Sequence, residues 1–196
     1  MIVSSFSKDT EEPLDPKDRA TWRAWLDKNH ASSLGTWVVI HKKESRSPRL
    51  LLEDAVEEAI CFGWIDSRLH PIDKERFKLW FSGRKPTSIW SQNNRNRVAR
   101  LERQGLMAPA GQKAVKIAQA NGAWTSLVPI DNLDIPDDLN EALNANPAAR
   151  ENFDGFTDST KKMILRWIDT AKREDTRAKR ISETVSHAAK DLPPHH

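Results

Sequence analysis

The sequence predicts an α+β fold: a small three-stranded sheet, built from a strand, a helix and a β-hairpin, packed with helices and followed by a helical C-terminal segment. Three observations carry that prediction. The β-branched run Gly35-Thr-Trp-Val-Val-Ile-His41 reads as a buried strand. Trp64 to Phe81 reads as a hairpin around Pro71-Ile-Asp-Lys-Glu75, and most of the flanking chain spaces its apolar residues as helices do. The chain has 196 residues. That is enough for one domain of about 150 residues with a smaller segment beside it, and for a sizeable core.

In chain order, residues 1–14 are polar without a period and are expected to form a mobile tail. A first helix is expected from Pro16, an N1 proline after Asp15, to about Lys28, with Trp22, Trp25 and Leu26 on one face. Ser45 to Pro48 is a loop. Between Leu51 and Cys61, Leu51, Leu52, Ala55, Val56, Ala59 and Ile60 form an apolar stripe, with Glu53, Asp54, Glu57 and Glu58 opposite, and Gly63 ends the helix. Cys61, beside that stripe, reads as a packed small hydrophobe.

In the hairpin, pairing His70 with Arg76 sets Ile65 opposite Phe81 and Leu69 opposite Phe77. The other face then carries Trp64, Asp66, Arg68, His70, Arg76, Lys78 and Trp80. A helix is expected from a Ser88 cap to about Gln104, and another from Pro109 to Asn121-Gly122. These elements make an α+β domain over 15–127. Residues 128–136, rich in Asp and Pro, read as a linker, and 137–191 as a helical segment. There, Pro136–Asn144 and Pro147–Phe153 are short helices. A Thr157-capped helix turns Met163, Ile164, Trp167, Ile168 and Ala171 inward, and a last one, about Asp175–Lys190, turns Ala178, Ile181, Val185 and Ala189 inward.

Composition removes several function classes. Mean hydropathy is −0.68, and no apolar run approaches about 18 residues, so no membrane insertion is expected. The first twelve residues lack the basic and apolar regions of a signal peptide. One cysteine excludes a disulfide framework and fits a reducing cytoplasm, the expected location. No GxSxG, HExxH or GxxxxGK[ST] is present, and seven glycines are too few for a dinucleotide-type phosphate loop. His41, His70 and Asp66 are the one set that neighbouring strands bring near each other; a metal there has little support, and no metal or cofactor is expected.

Charge is unevenly placed. The net charge of +3 divides into −3 over residues 1–67, +7 over 68–103, −5 over 104–158 and +4 over 159–196. One concentrated basic surface follows, able to attract anions. Within it, residues 84–101 are the most informative. On a helical projection of about 100° per residue, Trp90, Val98 and Leu101 form the inward stripe and Arg95, Arg100 and Arg103 point away. Asn94 falls in the middle of the stripe and Arg97 beside Trp90, and buried amides and cations need partners. Asn94 and Arg97 are therefore expected to line a pocket closed by Trp64, Asp66 and Arg68. The structural alternative has Asn94 holding loop backbone and Arg97 paired with Asp66 or a helix terminus.

The ligand-binding candidates are thus Trp64, Asp66, Arg68, Trp80, Arg84, Ser88, Trp90, Ser91, Asn94 and Arg97. Indole walls with convergent cations suit a small anionic or aromatic ligand. Asp66, between aromatics, is the best candidate for a general base if the protein is an enzyme, with Arg84 or Arg97 holding an anionic substrate. A third reading is single-stranded nucleic-acid binding through the basic 68–103 face, against which the acidic 104–158 stretch counts.

Glu58-Ala-Ile-Cys-Phe-Gly-Trp-Ile-Asp66, the Ser88-Ile-Trp-Ser91 run with Asn94 and Arg97-Val98, and Gly105-Leu-Met-Ala-Pro-Ala-Gly111 together resemble the YdeI/OmpD-associated, or bacteriocin-protection, family. Arg166-Trp-Ile-Asp-Thr-Ala-Lys-Arg173 with Arg177 and Arg180-Ile181 is similar to that family's helical C-terminus. Ser67, where the family pattern has glycine, and Gly83, where it has proline, depart from it. The resemblance implies an α+β domain with a helical C-terminus, a role in tolerance of bacteriocins or cationic antimicrobial peptides, and a porin or envelope-stress protein as partner.

Overall fold

Asp18 sets the start of the first helix: its carboxylate accepts the Thr21 N–H at 2.8 Å. Helix α1 therefore spans Arg19–Asn29, three residues later than Pro16 suggested. The structure, a computed structural model, describes residues 12–192, and the chain divides into two compact units between Thr125 and Ser126. Of the tail expected over residues 1–14, residues 1–11 lie outside the described residues. Leu14, at its end, is not free: it bridges to Val38, donating to Trp37 O at 2.8 Å and accepting from Val39 N at 2.7 Å.

The first unit is α+β. Strands β1 (Thr36–His41), β2 (Trp64–Pro71) and β3 (Arg76–Gly83) form an antiparallel sheet in the order β1-β3-β2, with α2 (Leu52–Cys61) between β1 and β2 in sequence. The hairpin register differs from the expected one. Asp66 pairs with Phe81 and Leu69 with Leu79, so Ser67 and Arg68 together oppose Trp80 across a bulge. A bulge inverts the alternation beyond it, which a uniform period of two cannot anticipate. Trp64 and Asp66 consequently share the face of Phe81, while His70, Lys78 and Trp80 share the opposite one.

The two faces pack differently. Val38, Ile40, Leu79, Phe81 and Trp64 join Trp22 and Leu26 of α1 and the stripe of α2 in one core. On the other face Trp37 meets Trp80 edge to face at 5.4 Å, with the Lys78 ammonium 4.7 Å from the Trp37 ring. Helices α3 (Gln92–Arg103) and α4 (Pro109–Ala120) complete the unit. The α2 carboxylates do not all face water, as the projection implied. Glu57 and Glu58 are buried because arginines of α1 and α3 reach over them.

The second unit is helical: α5 (Val128–Asp131), α6 (Asp137–Asn144), α7 (Pro147–Gly155), α8 (Asp158–Asp169) and α9 (Glu174–Ala188). Residues 128–136, expected as a linker, include α5, and Ile130 belongs to this unit's core with Leu139, Phe153, Ile164 and Ile168. Met163 is 41% exposed rather than inward. Thr184 is buried instead, its hydroxyl satisfied by the Arg180 carbonyl at 2.8 Å. No helix among the described residues is long and apolar enough to cross a membrane.

Candidate functional site: a cation-lined cavity

Two glycines let α4 approach α2. A Cβ at Gly111 would sit 2.2 Å from the Cys61 carbonyl oxygen, backbone that cannot yield, and Gly63 adopts φ +72 beneath Ala110 and Ala114. Ala108 N donates to that same Cys61 carbonyl at 3.0 Å. The end of β3 is tied down beside them, with Arg84 N donating to Gly63 O at 2.9 Å and Asn121 Nδ2 to Pro86 O at 2.8 Å. Between these elements lies a cavity of about 220 Å³, lined by His30, Phe62, Trp64, Arg84, Lys113 and Ile117 among others. The lining holds Arg84, Lys85 and Lys113 and no carboxylate.

Arg84 is the distinctive member. Its guanidinium carbon lies 3.7 Å from the centroid of Trp90, a fully buried indole that in turn packs on Trp124 at 5.1 Å. Its Nη1 donates to Ile89 O at 3.3 Å, while Nε is buried with no hydrogen-bond partner. Burial draws the group well below the ordinary arginine range, to about 10, and Asp66 counters this only in part. A buried cation and an unmatched donor each cost stability. Sites that bind ligands retain such features.

The remaining candidates go to separate places. Trp64 is core, its indole N–H bonded to the His30 carbonyl at 3.2 Å, and its ring borders the cavity. Asp66 is half-buried on the helix-covered face, and Arg68 is exposed at the bulge. Trp80 packs on Trp37 across the sheet, away from the cavity. Ser88 is no helix cap: its hydroxyl accepts the Lys85 N–H at 3.0 Å in a turn. Ser91 is the cap instead, accepting from Asn94 N at 3.3 Å, so Trp90 precedes the helix and cannot anchor its projection.

That shift explains Asn94 and Arg97, which do not line a pocket with Trp64, Asp66 and Arg68. Arg97 grips Glu53 of α2 through Nε at 2.9 Å and Nη2 at 2.6 Å, and its Nη1 donates to Asn94 Oδ1 at 2.9 Å. Arg95, expected outward, is the buried one, donating to the carbonyls of Trp90 at 2.9 Å and Trp124 at 3.2 Å. Its long stem covers apolar surface while its head serves loop carbonyls. His41, His70 and Asp66 do not converge, and among the described residues no three His, Cys, Asp or Glu side chains are grouped to hold a metal ion.

Sequence reasoning missed His30, Phe62, Lys85, Lys113 and Ile117. Lys85 adjoins Arg84 and was visible as a basic pair, but Lys113 reaches the cavity only through the α2–α4 packing, which has no local signal. A wider groove of about 1030 Å³ lies in the second unit between α6 and α9. Its floor is apolar, of alanines with Ile181 and Val185, and Arg177 on its rim is engaged with Asp138 at 2.6 and 2.9 Å.

Residues 14–114 match the model of a domain of unknown function, DUF8412, and residues 132–191 match the model described as Bacteriocin-protection, YdeI or OmpD-Associated. Neither a curated protein nor a solved structure matches.

Proposed function

The chain belongs to the DUF8412 family through residues 14–114 and carries a bacteriocin-protection, YdeI or OmpD-associated domain over 132–191, and on that premise we propose that it is a cytoplasmic stress-protection protein whose α+β unit binds a small organic anion. One observation carries the ligand reading: Arg84, stacked on Trp90 in a cavity without carboxylates, has no acidic partner in contact and leaves Nε unbonded. An anion entering there would supply the missing charge and acceptor together. Tolerance of bacteriocins or cationic peptides, and any porin or envelope-stress partner, is the family role in which such a sensor or carrier would act.

A thermal-shift series with carboxylates, inorganic phosphate and nucleotides tests the binding. A true ligand at about a hundred times its Kd adds about 2.7 kcal/mol of stability. Arg84→Met is expected to abolish that shift while leaving the unliganded protein equally or more stable. The variant removes a desolvated charge, offset by the loss of a cation–π contact worth about 1 kcal/mol. A variant that is strongly destabilised, in a protein that no anion stabilises, would make Arg84 a structural residue and end the proposal.

A further inference from the structure

The arginines of this molecule show how its fold uses a guanidinium edge. In Arg97 the edge formed by Nε and Nη2 holds both oxygens of Glu53, at 2.9 and 2.6 Å. In Arg177 the same edge holds both oxygens of Asp138, at 2.6 and 2.9 Å. In Arg84 the opposite nitrogen, Nη1, is spent on the Ile89 carbonyl, and neither Nε nor Nη2 donates to any described residue. Trp90 covers one face of the group at 3.7 Å. A partner must then approach in the guanidinium plane, along the Nε–Nη2 edge, which matches the two coplanar oxygens of a carboxylate.

The surroundings restrict the rest of the ligand. Nearby donors are already used within the fold: Gly63 N on Ile60 O, Trp64 Nε1 on His30 O, Arg84 N on Gly63 O. The further oxygens of a tetrahedral dianion would have to reach the exposed, strongly hydrated ammonium groups of Lys85 and Lys113, whereas Phe62, Trp64 and Ile117 offer hydrocarbon beside Arg84. Lys85 and Lys113 are exposed residues of the lining, suited to attracting an anion. The volume, about 220 Å³, is below the range of about 300–1,000 Å³ that holds drug-sized ligands.

We propose that the cavity's ligand is a small monocarboxylate with a flat or branched apolar body, its carboxylate held by the Nε–Nη2 edge of Arg84 and its body against Phe62, Trp64 and Ile117. This rests on the anion-binding reading above and assigns the class of anion.

The experiment is titration calorimetry of the full chain with benzoate, acetate, benzyl alcohol and inorganic phosphate, followed by benzoate with Arg84→Lys. Benzoate is expected to bind at least tenfold more tightly than each of the other three. Arg84→Lys, which keeps a charge but loses the planar edge, is expected to weaken benzoate at least tenfold, with near-ultraviolet circular dichroism unchanged. Phosphate binding as tightly as benzoate, or a lysine variant that keeps benzoate affinity, overturns the carboxylate assignment and leaves an anion site. Acetate matching benzoate overturns the apolar body. No binding by any of the anions overturns this inference and the reading beneath it together.

Discussion

Along the seam of α1, α2 and α3, Glu57 and Glu58 are 3% and 2% exposed, and arginines meet both. Arg19 donates to Glu58 at 2.5 Å and to Glu57 at 2.9 Å, Arg23 reaches Glu58 at 2.6 Å, and Arg100 bonds Glu57. At the cavity in the same unit, Arg84 donates to the Ile89 carbonyl and rests on an indole, with no acid in contact. The seam closes its electrostatic account internally; the cavity does not. An inward arginine is therefore a poor marker of function by itself. What marks the site is an inward arginine whose bidentate edge the fold leaves without an acceptor.

The largest expected effect lies in the seam. Glu58→Gln removes the charge that Arg19 and Arg23 share, and breaking one side of a buried pair costs about 3–5 kcal/mol. The Arg19 and Arg23 side chains are 34% and 35% exposed and Arg19 keeps Asp54 and Glu57, so water and those acids absorb part of the loss. A destabilisation of about 2–3 kcal/mol is expected, read as a lower urea midpoint, with anion binding by the folded fraction unchanged. A loss of affinity at the cavity would join the two regions and dissolve the contrast between them.

These differences also show what a sequence can carry. The three strands, the helical C-terminus and the stripe of α2 follow from periods of two and 3.6, so they were legible. The bulge at Ser67 and Arg68 was not, because an extra residue leaves no mark on either period, and it moved Trp64 and Asp66 to the face opposite Trp80. The choice of Ser91 over Ser88 as cap turned the inward polar residue from Asn94 to Arg95. Trp64, Arg84 and Trp90 were among the expected ligand residues and do border the cavity. Lys113 and Ile117 were not foreseen, since Gly63 and Gly111 permit the helix contact that brings them there.

The two regions should answer pH in different windows. The Arg97 hydrogen bond holds the Glu53 carboxyl below its ordinary range, as Arg177 holds Asp138. A carboxylate with a lowered folded pKa contributes stability above its unfolded value and loses it as pH falls through the folded one. Stability should therefore decline below about pH 4.5, and Glu53→Gln should make that decline shallower. Arg84 is a base lowered by burial to about 10. Over the range above 10 the unfolded chain binds the extra proton, so its unfavourable contribution fades as pH rises. The stability difference between wild type and Arg84→Met, measured from pH 8 to 11, should narrow toward the alkaline end. A difference that stays constant would mean that the guanidinium is not desolvated.

The smallest effect is expected at Arg97, and it separates the site drawn from sequence from the one drawn from structure. Arg97 holds Glu53, but Glu53 is 51% exposed and competes with water for the same bonds. Exposed pairs contribute about 0.2–1 kcal/mol, toward the upper end when bidentate. Arg97→Lys keeps the charge and surrenders the planar grip, so a destabilisation of about 0.5 kcal/mol is expected, with Asn94 losing its partner at little further cost. Because Arg97 does not line the cavity, benzoate affinity should stay within twofold of wild type. The paired measurement is a urea midpoint and a benzoate titration on one preparation. A tenfold loss of affinity with an unchanged midpoint would return the binding site to the α3 face and leave Arg84 as the structural arginine.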